Sequence, residues 1–185
     1  VTRANSVKVL SKKKKKKKIA VICNYELLPE RVGGMDYFYW LFNSECIKNK
    51  ISVTWFFPNR SHHGRYDELQ IKVPENKESL ETCFLNYCAT ENVSFDVVYV
   101  HFLELCTSFY KQIKGKNSTT NLIVVDHNPR PINGYSFKRR IEKFIKGFLY
   151  AKYINWFVSV SNESAKELKS DFIFIKDKSC KVIFN

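Results

Sequence analysis

The stretch "KIAVICNYELLPERVGGMDYFYWLF", Lys18 to Phe42, decides the fold class. Ile19 to Cys23 is a continuous apolar run rich in β-branched residues, as in a strand buried on both faces rather than one alternating between core and water. A loop from Asn24 to Gly34 follows, and a helix is expected from Met35 to Lys48. A doubly covered strand leading through a loop into a helix is how a parallel α/β sheet begins. The aromatics Tyr37, Phe38, Tyr39, Trp40 and Phe42 run almost all round that helix, which predicts that it is enclosed on more than one side.

The alternation continues outward. Val53 to Phe57 reads as a second strand ended by Pro58-Asn59, and Gln70 to Val73 as a short third. Pro74-Glu75 is expected to open a helix in which Leu80, Cys83, Phe84, Tyr87 and Cys88 share a face. Phe95 to Val100 is a strand running into His101, and Leu122 to Val125 one running into Asp126 and His127. Ser136 to Tyr150 is the clearest amphipathic helix: Phe137, Ile141, Phe144, Ile145 and Phe148 form one face, and Lys138, Arg139, Lys143 and Lys146 another. Trp156 to Val160 is a further strand, Ser161 can cap the helix after it, and Lys181 to Phe184 starts the last strand. The expected fold is α/β, a Rossmann-like parallel sheet with helices on both faces.

A chain of 185 residues with 44% apolar composition suits one domain with a real core. The formal charge of +13 suggests nucleic acid or an anionic membrane, but residues 1–18 hold nine positive charges and no acid, which leaves +4 for the rest. Residues 1–17, with Lys12 to Lys17, are therefore expected to be a disordered basic lead-in that repels itself, and residues 18–185 the folded domain. The six cysteines show no CxxC and no metal-type spacing with histidine, so they read as buried reduced thiols of a reducing compartment. No run approaches the roughly 20 apolar residues of a membrane span. The chain begins at Val1 and its one methionine, Met35, lies inside the fold, so residue 1 is expected to be a processed end, a non-Met start or a fragment boundary.

Four features are candidates for chemistry. Gly33 and Gly34 stand where a helix begins, so the backbone there can approach a ligand and its N–H groups favour phosphate; the same pair reads equally as a plain turn. The loop is too long, and has too few glycines, for a dinucleotide fingerprint. His101 and His127 each end a strand, at the edge where parallel sheets collect ligands, although a histidine there can also be a structural hydrogen-bonder. His62-His63 lies in a polar loop with no third ligand at metal spacing and reads as solvated. The basic segment Lys138 to Lys152 is open to three readings: a solvated helix, a face that rides an anionic membrane, and nucleic-acid binding.

The ordered set "KIAVICNYELLPERVGGMDYFYWLF", "FDVVYVHF", "VVDHNPRP", "WFVSVSNESAKEL" and "KVIFN" resembles the N-terminal domain of family 4 glycosyltransferases of the GT-B fold, over Lys18 to Asn185. The resemblance implies a Rossmann-like acceptor-side domain facing, across a cleft, a second domain that holds a nucleotide-sugar donor. It implies that Gly33 and Gly34 lie against the donor diphosphate, that His101 contacts the transferred sugar as the catalytic position, and that His127 fills a less uniform substrate-binding position. Met35-Asp36-Tyr37 after the glycines and Tyr99 before His101 depart from the family pattern. The implied function is retaining transfer of a sugar from a nucleotide sugar to a saccharide or lipid-linked acceptor, in building a surface polysaccharide or glycolipid. No metal and no cofactor beyond the nucleotide-sugar substrate are implied, and nucleic acid is not expected as a partner. The setting is cytoplasmic, with an anionic membrane surface as a candidate partner. The donor half is expected beyond Asn185, so this chain alone is expected to be inactive. Two alternatives stand beside it: a non-catalytic binding subunit that pairs with a separate donor domain, and a basic α/β protein that binds membrane or nucleic acid.

Overall fold

Seven parallel strands make one sheet in a computed structural model that describes residues 16–127, 130–175 and 179–183. They are β1 (Lys18–Cys23), β2 (Ser52–Phe56), β3 (Ile71–Lys72), β4 (Val97–His101), β5 (Asn121–Asp126), β6 (Trp156–Ser159) and β7 (Cys180–Val182). Five α-helices connect them: α1 (Gly34–Lys48), α2 (Leu80–Thr90), α3 (Ser108–Lys116), α4 (Phe137–Tyr150) and α5 (Asn162–Asp171). The spatial order is β3-β2-β1-β4-β5-β6-β7, so the chain builds outward one way from β1 and then returns to build the other way from β4. The fold is an α/β, Rossmann-like sheet.

Alternation along β1 sorts its side chains onto two faces. Ala20 and Ile22 join Phe56, Val98, Val100, Leu122, Val124 and Phe157 against α2, α3 and α5. Val21 and Cys23 join Val53, Trp55 and Phe57 against α1. Helices thus cover both faces, as a parallel sheet requires. On the α1 side the core is aromatic: Trp55 is fully buried, lies parallel to Phe57 at 5.7 Å between centroids, and donates its indole N–H to Asn43 Oδ1 at 3.1 Å. Lys16 and Lys17 are exposed, and the Lys17 carbonyl accepts from the Ser52 N–H at 3.0 Å, where the β1–β2 ladder begins. Residues 1–15 of the expected lead-in, Phe184 of the expected last strand, and Asn185 lie outside the described residues.

Four expectations change. Helix α1 is not enclosed on several sides: Tyr39, Trp40, Asn43 and Cys46 face inward, while Tyr37, Leu41 and Ile47 are exposed, because one sheet face offers cover to only one side of a helix. Helix α2 starts at Leu80, not at Pro74. Asn76 and Lys77 take positive φ (50° and 61°), which breaks helical geometry, and Ser79 then caps by accepting from the Thr82 N–H at 3.2 Å. Helix α3 is an element the sequence reading did not mark, although parallel β4 and β5 need a crossover of about this length. It buries Phe109, Tyr110 and Ile113 in under three turns. The last strand spans Cys180–Val182 and so starts one residue earlier than expected.

Trp55→Ala should cost about 3–5 kcal/mol of unfolding free energy by leaving a cavity and an unpaired Asn43. Trp55→Phe should cost clearly less, both read from urea midpoints at constant slope.

Candidate functional site

A pocket of about 540 Å³ opens at the carboxyl edge of the sheet. Its floor is the α1-side face of β4 to β6, Tyr99, His101, Val125 and Val158, and its walls are Gly34, Met35 and Phe38 of α1, with His127, Val160 and Ile183 just past strand ends. It lies beside the junction of β1 and β4, where the strand order reverses and the connections leave to opposite sides, which is where open α/β sheets hold ligands. Three residues singled out from sequence, Gly34, His101 and His127, line this one pocket. The fourth, Gly33, is the N-cap of α1 next to it.

Parallel pairing puts His101 opposite Cys23 and Val125, and the His101 carbonyl accepts from the Asn24 N–H at 3.2 Å. The ring is almost wholly buried, and its Nδ1 lies 2.9 Å from Nε2 of His127. Tyr99 meets it edge-on at 4.5 Å, and Phe102 stacks on His127 at 4.2 Å between centroids. Phe102 has φ of 56°, a left-handed turn that bulky residues seldom adopt; it holds the ring over His127. Burial, and then the neighbouring His127, push the His101 imidazole down from 6.5 to about 3, so it is neutral at neutral pH. Burial also lowers His127, with Asp126 opposing. Two neutral imidazoles share one proton across the contact. Nε2 of His101 is buried and takes no hydrogen bond among the described residues, an unmet valence that needs a reason.

The start of α1 is unlike a simple phosphate cradle. Asp36, fully buried in its first turn, accepts the Gly33 N–H at 2.9 Å on one oxygen and the Tyr66 hydroxyl at 2.5 Å on the other. The N–H groups of Gly34 and Met35 take no acceptor among the described residues. A Cβ on either glycine would meet nothing within 4 Å, and neither has positive φ, so neither glycine is needed for backbone geometry or internal packing. The space above them is open.

Sequence reasoning was right about His62, which is exposed and pairs with Asp67 at 2.6 Å, but not about His63. His63 is tucked against Tyr66 at 4.9 Å, contacts Ser61, and lies 4.0 Å from Asp36, because Tyr66 and Asp36 draw the loop onto the start of α1. Reasoning from sequence also missed Asp126 and Arg130. Arg130 bridges Asp126 and Asp171, each at 2.8 Å, and pins the segment after β5 to the end of α5. Asn128 and Pro129 of "VVDHNPRP" lie outside the described residues. No group of three or more His, Cys, Asp or Glu among the described residues is arranged to hold a metal ion, and all six cysteines are free. Burial pushes the Cys23 thiol, 3.0 Å from the Tyr39 hydroxyl, up to about 12, so it is an inert thiol. No helix among the described residues is long and apolar enough to cross a membrane. No protein-family model matches the chain, and a search of curated proteins gives no match.

Both imidazoles are lowered in the folded state, so the unfolded chain takes up protons first as pH falls. The His101 contribution to stability is therefore whole above about 6.5 and drains toward about 3, at roughly 1.4 kcal/mol per pH unit, and His127 acts in the same direction. Urea midpoints across that window should fall more steeply for the natural protein than for His101→Asn. Parallel curves would show that His101 is not held neutral.

Proposed function

We propose that this chain is the acceptor-side domain of a retaining glycosyltransferase, its pocket forming one wall of the site where a sugar passes from a nucleotide sugar to a saccharide or lipid-linked acceptor. The observation that carries the reading is the buried His101–His127 pair, with its unmet Nε2, in the same pocket as the open start of α1. The order of motifs from Lys18 to Asn185 supports it independently through the family resemblance. In this reading the protein works in the cytoplasm on a nucleotide-sugar substrate, with no metal supplied by this domain.

The chemistry follows from the charges. Departure of the nucleoside diphosphate leaves positive charge on the sugar and negative charge on the leaving oxygens. Preorganised N–H groups placed where that negative charge develops stabilise the transition state most. The N–H groups of Gly34 and Met35 are suited to this role, and the absence of side chains at Gly33 and Gly34 lets the diphosphate approach them. His101 is no general base in this reading, since an imidazole held near 3 has little drive to take a proton at neutral pH. It is a neutral hydrogen-bonding group instead. With its proton on Nδ1, donated across the 2.9 Å contact to His127, its Nε2 accepts from a sugar hydroxyl; with both rings in the opposite tautomers, its Nε2 donates to one.

The test uses the complete polypeptide encoded by the gene and a panel of nucleotide sugars, with product detected by mass spectrometry. His101→Ala should lower kcat by about a hundredfold or more, the scale of losing a positioned polar group at a reacting centre. Wild-type turnover in that variant would remove His101 from the site. Gly34→Ala should keep or slightly raise stability, since a helix favours alanine by about 0.5–1 kcal/mol, yet raise KM for the donor. An unchanged KM there would separate the glycine loop from the donor.

A further inference from the structure

Helix α4 turns its apolar side outward. Phe137, Ile141, Phe144, Ile145, Phe148 and Leu149 recur at helical spacing and form one stripe, and all six are between 43% and 79% exposed. Its other side is held to the protein by charge. Arg139 and Lys146 reach Glu104 at 3.4 and 2.6 Å, both also engage Glu142, and Lys143 reaches Asp171 at 2.9 Å. Gly147 is the one buried residue of the helix, packed so closely on Phe172 that a Cβ would lie 3.2 Å from its ring. Phe174 extends the stripe, its ring 5.2 and 5.3 Å from those of Phe144 and Phe148. A groove of about 390 Å³ runs between α4 and the end of α5. A contiguous apolar patch of this kind on a water-facing surface marks a place where something binds.

We propose that this face of α4 docks on an anionic lipid surface. Charge decides the occupant. At 100° per residue, Lys138 and Arg140 fall on either side of Phe137, Ile141 and Phe144 in the first turns of the helix, both exposed and without an ion pair among the described residues. The nearby acids Glu104, Glu142 and Asp171 are each already engaged by a cation. An apolar band flanked by unpaired cations fits acyl chains below and phosphate headgroups beside them, with the helix lying in the plane of the interface. The inference stands apart from the transferase reading and survives if that reading fails.

Co-sedimentation of the full chain with vesicles tests it, using phosphatidylcholine alone and phosphatidylcholine mixed with phosphatidylglycerol. Binding is expected to the mixed vesicles and to weaken as salt is raised. Phe144→Ser with Phe148→Ser, and separately Lys138→Glu with Arg140→Glu, should each lower the partition coefficient at least about tenfold. All four positions are exposed, so thermal midpoints should barely move. The lysines of residues 12–17 are present in every protein compared. Variants that bind like the natural chain would therefore assign the binding to that lysine run and overturn the proposal, as would failure of the natural chain to bind. Concentration-dependent dimers abolished by the phenylalanine pair, with vesicle binding untouched, would overturn it in favour of self-association.

Discussion

The parallel pairing of β1 with β4 is the constraint on which the rest of the molecule depends. These strands are adjacent in space but separated in sequence by the whole β2–β3 excursion, so the connections leaving their carboxyl ends diverge. The register sets Cys23 opposite His101, and the Asn24 N–H, one residue beyond the strand, bonds the His101 carbonyl. The start of α1 and the end of β4 are thereby held as the two sides of one crevice. Because β4 pairs with β5 in step, His101 faces Val125 across the ladder and His127 follows two residues later on the same face. The histidine contact is a consequence of sheet register. No local motif makes it.

Buried polar groups at this edge show how such a crevice is kept in shape. Asp36 ties Gly33 to Tyr66, so the loop after β1 is anchored to the segment after β2. Arg130 ties Asp126 to Asp171, and Lys143 adds α4 to the same carboxylate. Buried ion pairs seldom add much net stability, since desolvation cancels most of the attraction, but breaking one partner out leaves a charge that the interior cannot tolerate. Their effect here is to fix position: one network holds the α1 side of the pocket and the other holds the chain that carries His127.

Strands were legible in the sequence because a doubly covered parallel strand is a bare apolar run, and IAVIC, VTWFF and LIVV are such runs. His101 and His127 were legible for a related reason, since the position just past such a run is the ligand edge whatever the residue. Helix α3 was not, because Phe109, Tyr110 and Ile113 give too few apolar positions to define a period. The role of Asp36 was hidden for a different reason: its partners Tyr66 and His63 come from a loop far along the chain, and no spacing rule links them. Helix α4 exposes a deeper limit. Its sequence says which residues share a face, but periodicity carries no sign, and only the packing reveals that the apolar face points out.

In the transferase reading, the start of α1 limits what this domain can contribute. A helix terminus attracts an anion through free N–H groups and a partial positive charge. Asp36 has already placed a full negative charge in that first turn, with one oxygen on the Gly33 N–H. What remains for a diphosphate is two N–H groups and no net positive field. The lining of the pocket contains neither lysine nor arginine among the described residues. A leaving diphosphate needs cationic compensation in a site that excludes water, because its charge is barely screened there. In the transferase reading that compensation has to come from the opposite wall of the cleft, so the pocket contributes shape, neutral hydrogen bonds and sugar positioning. Neutral His101 fits this division: a charged imidazole would be repelled by the developing positive charge on the sugar, whereas a neutral one can hold a hydroxyl close to it.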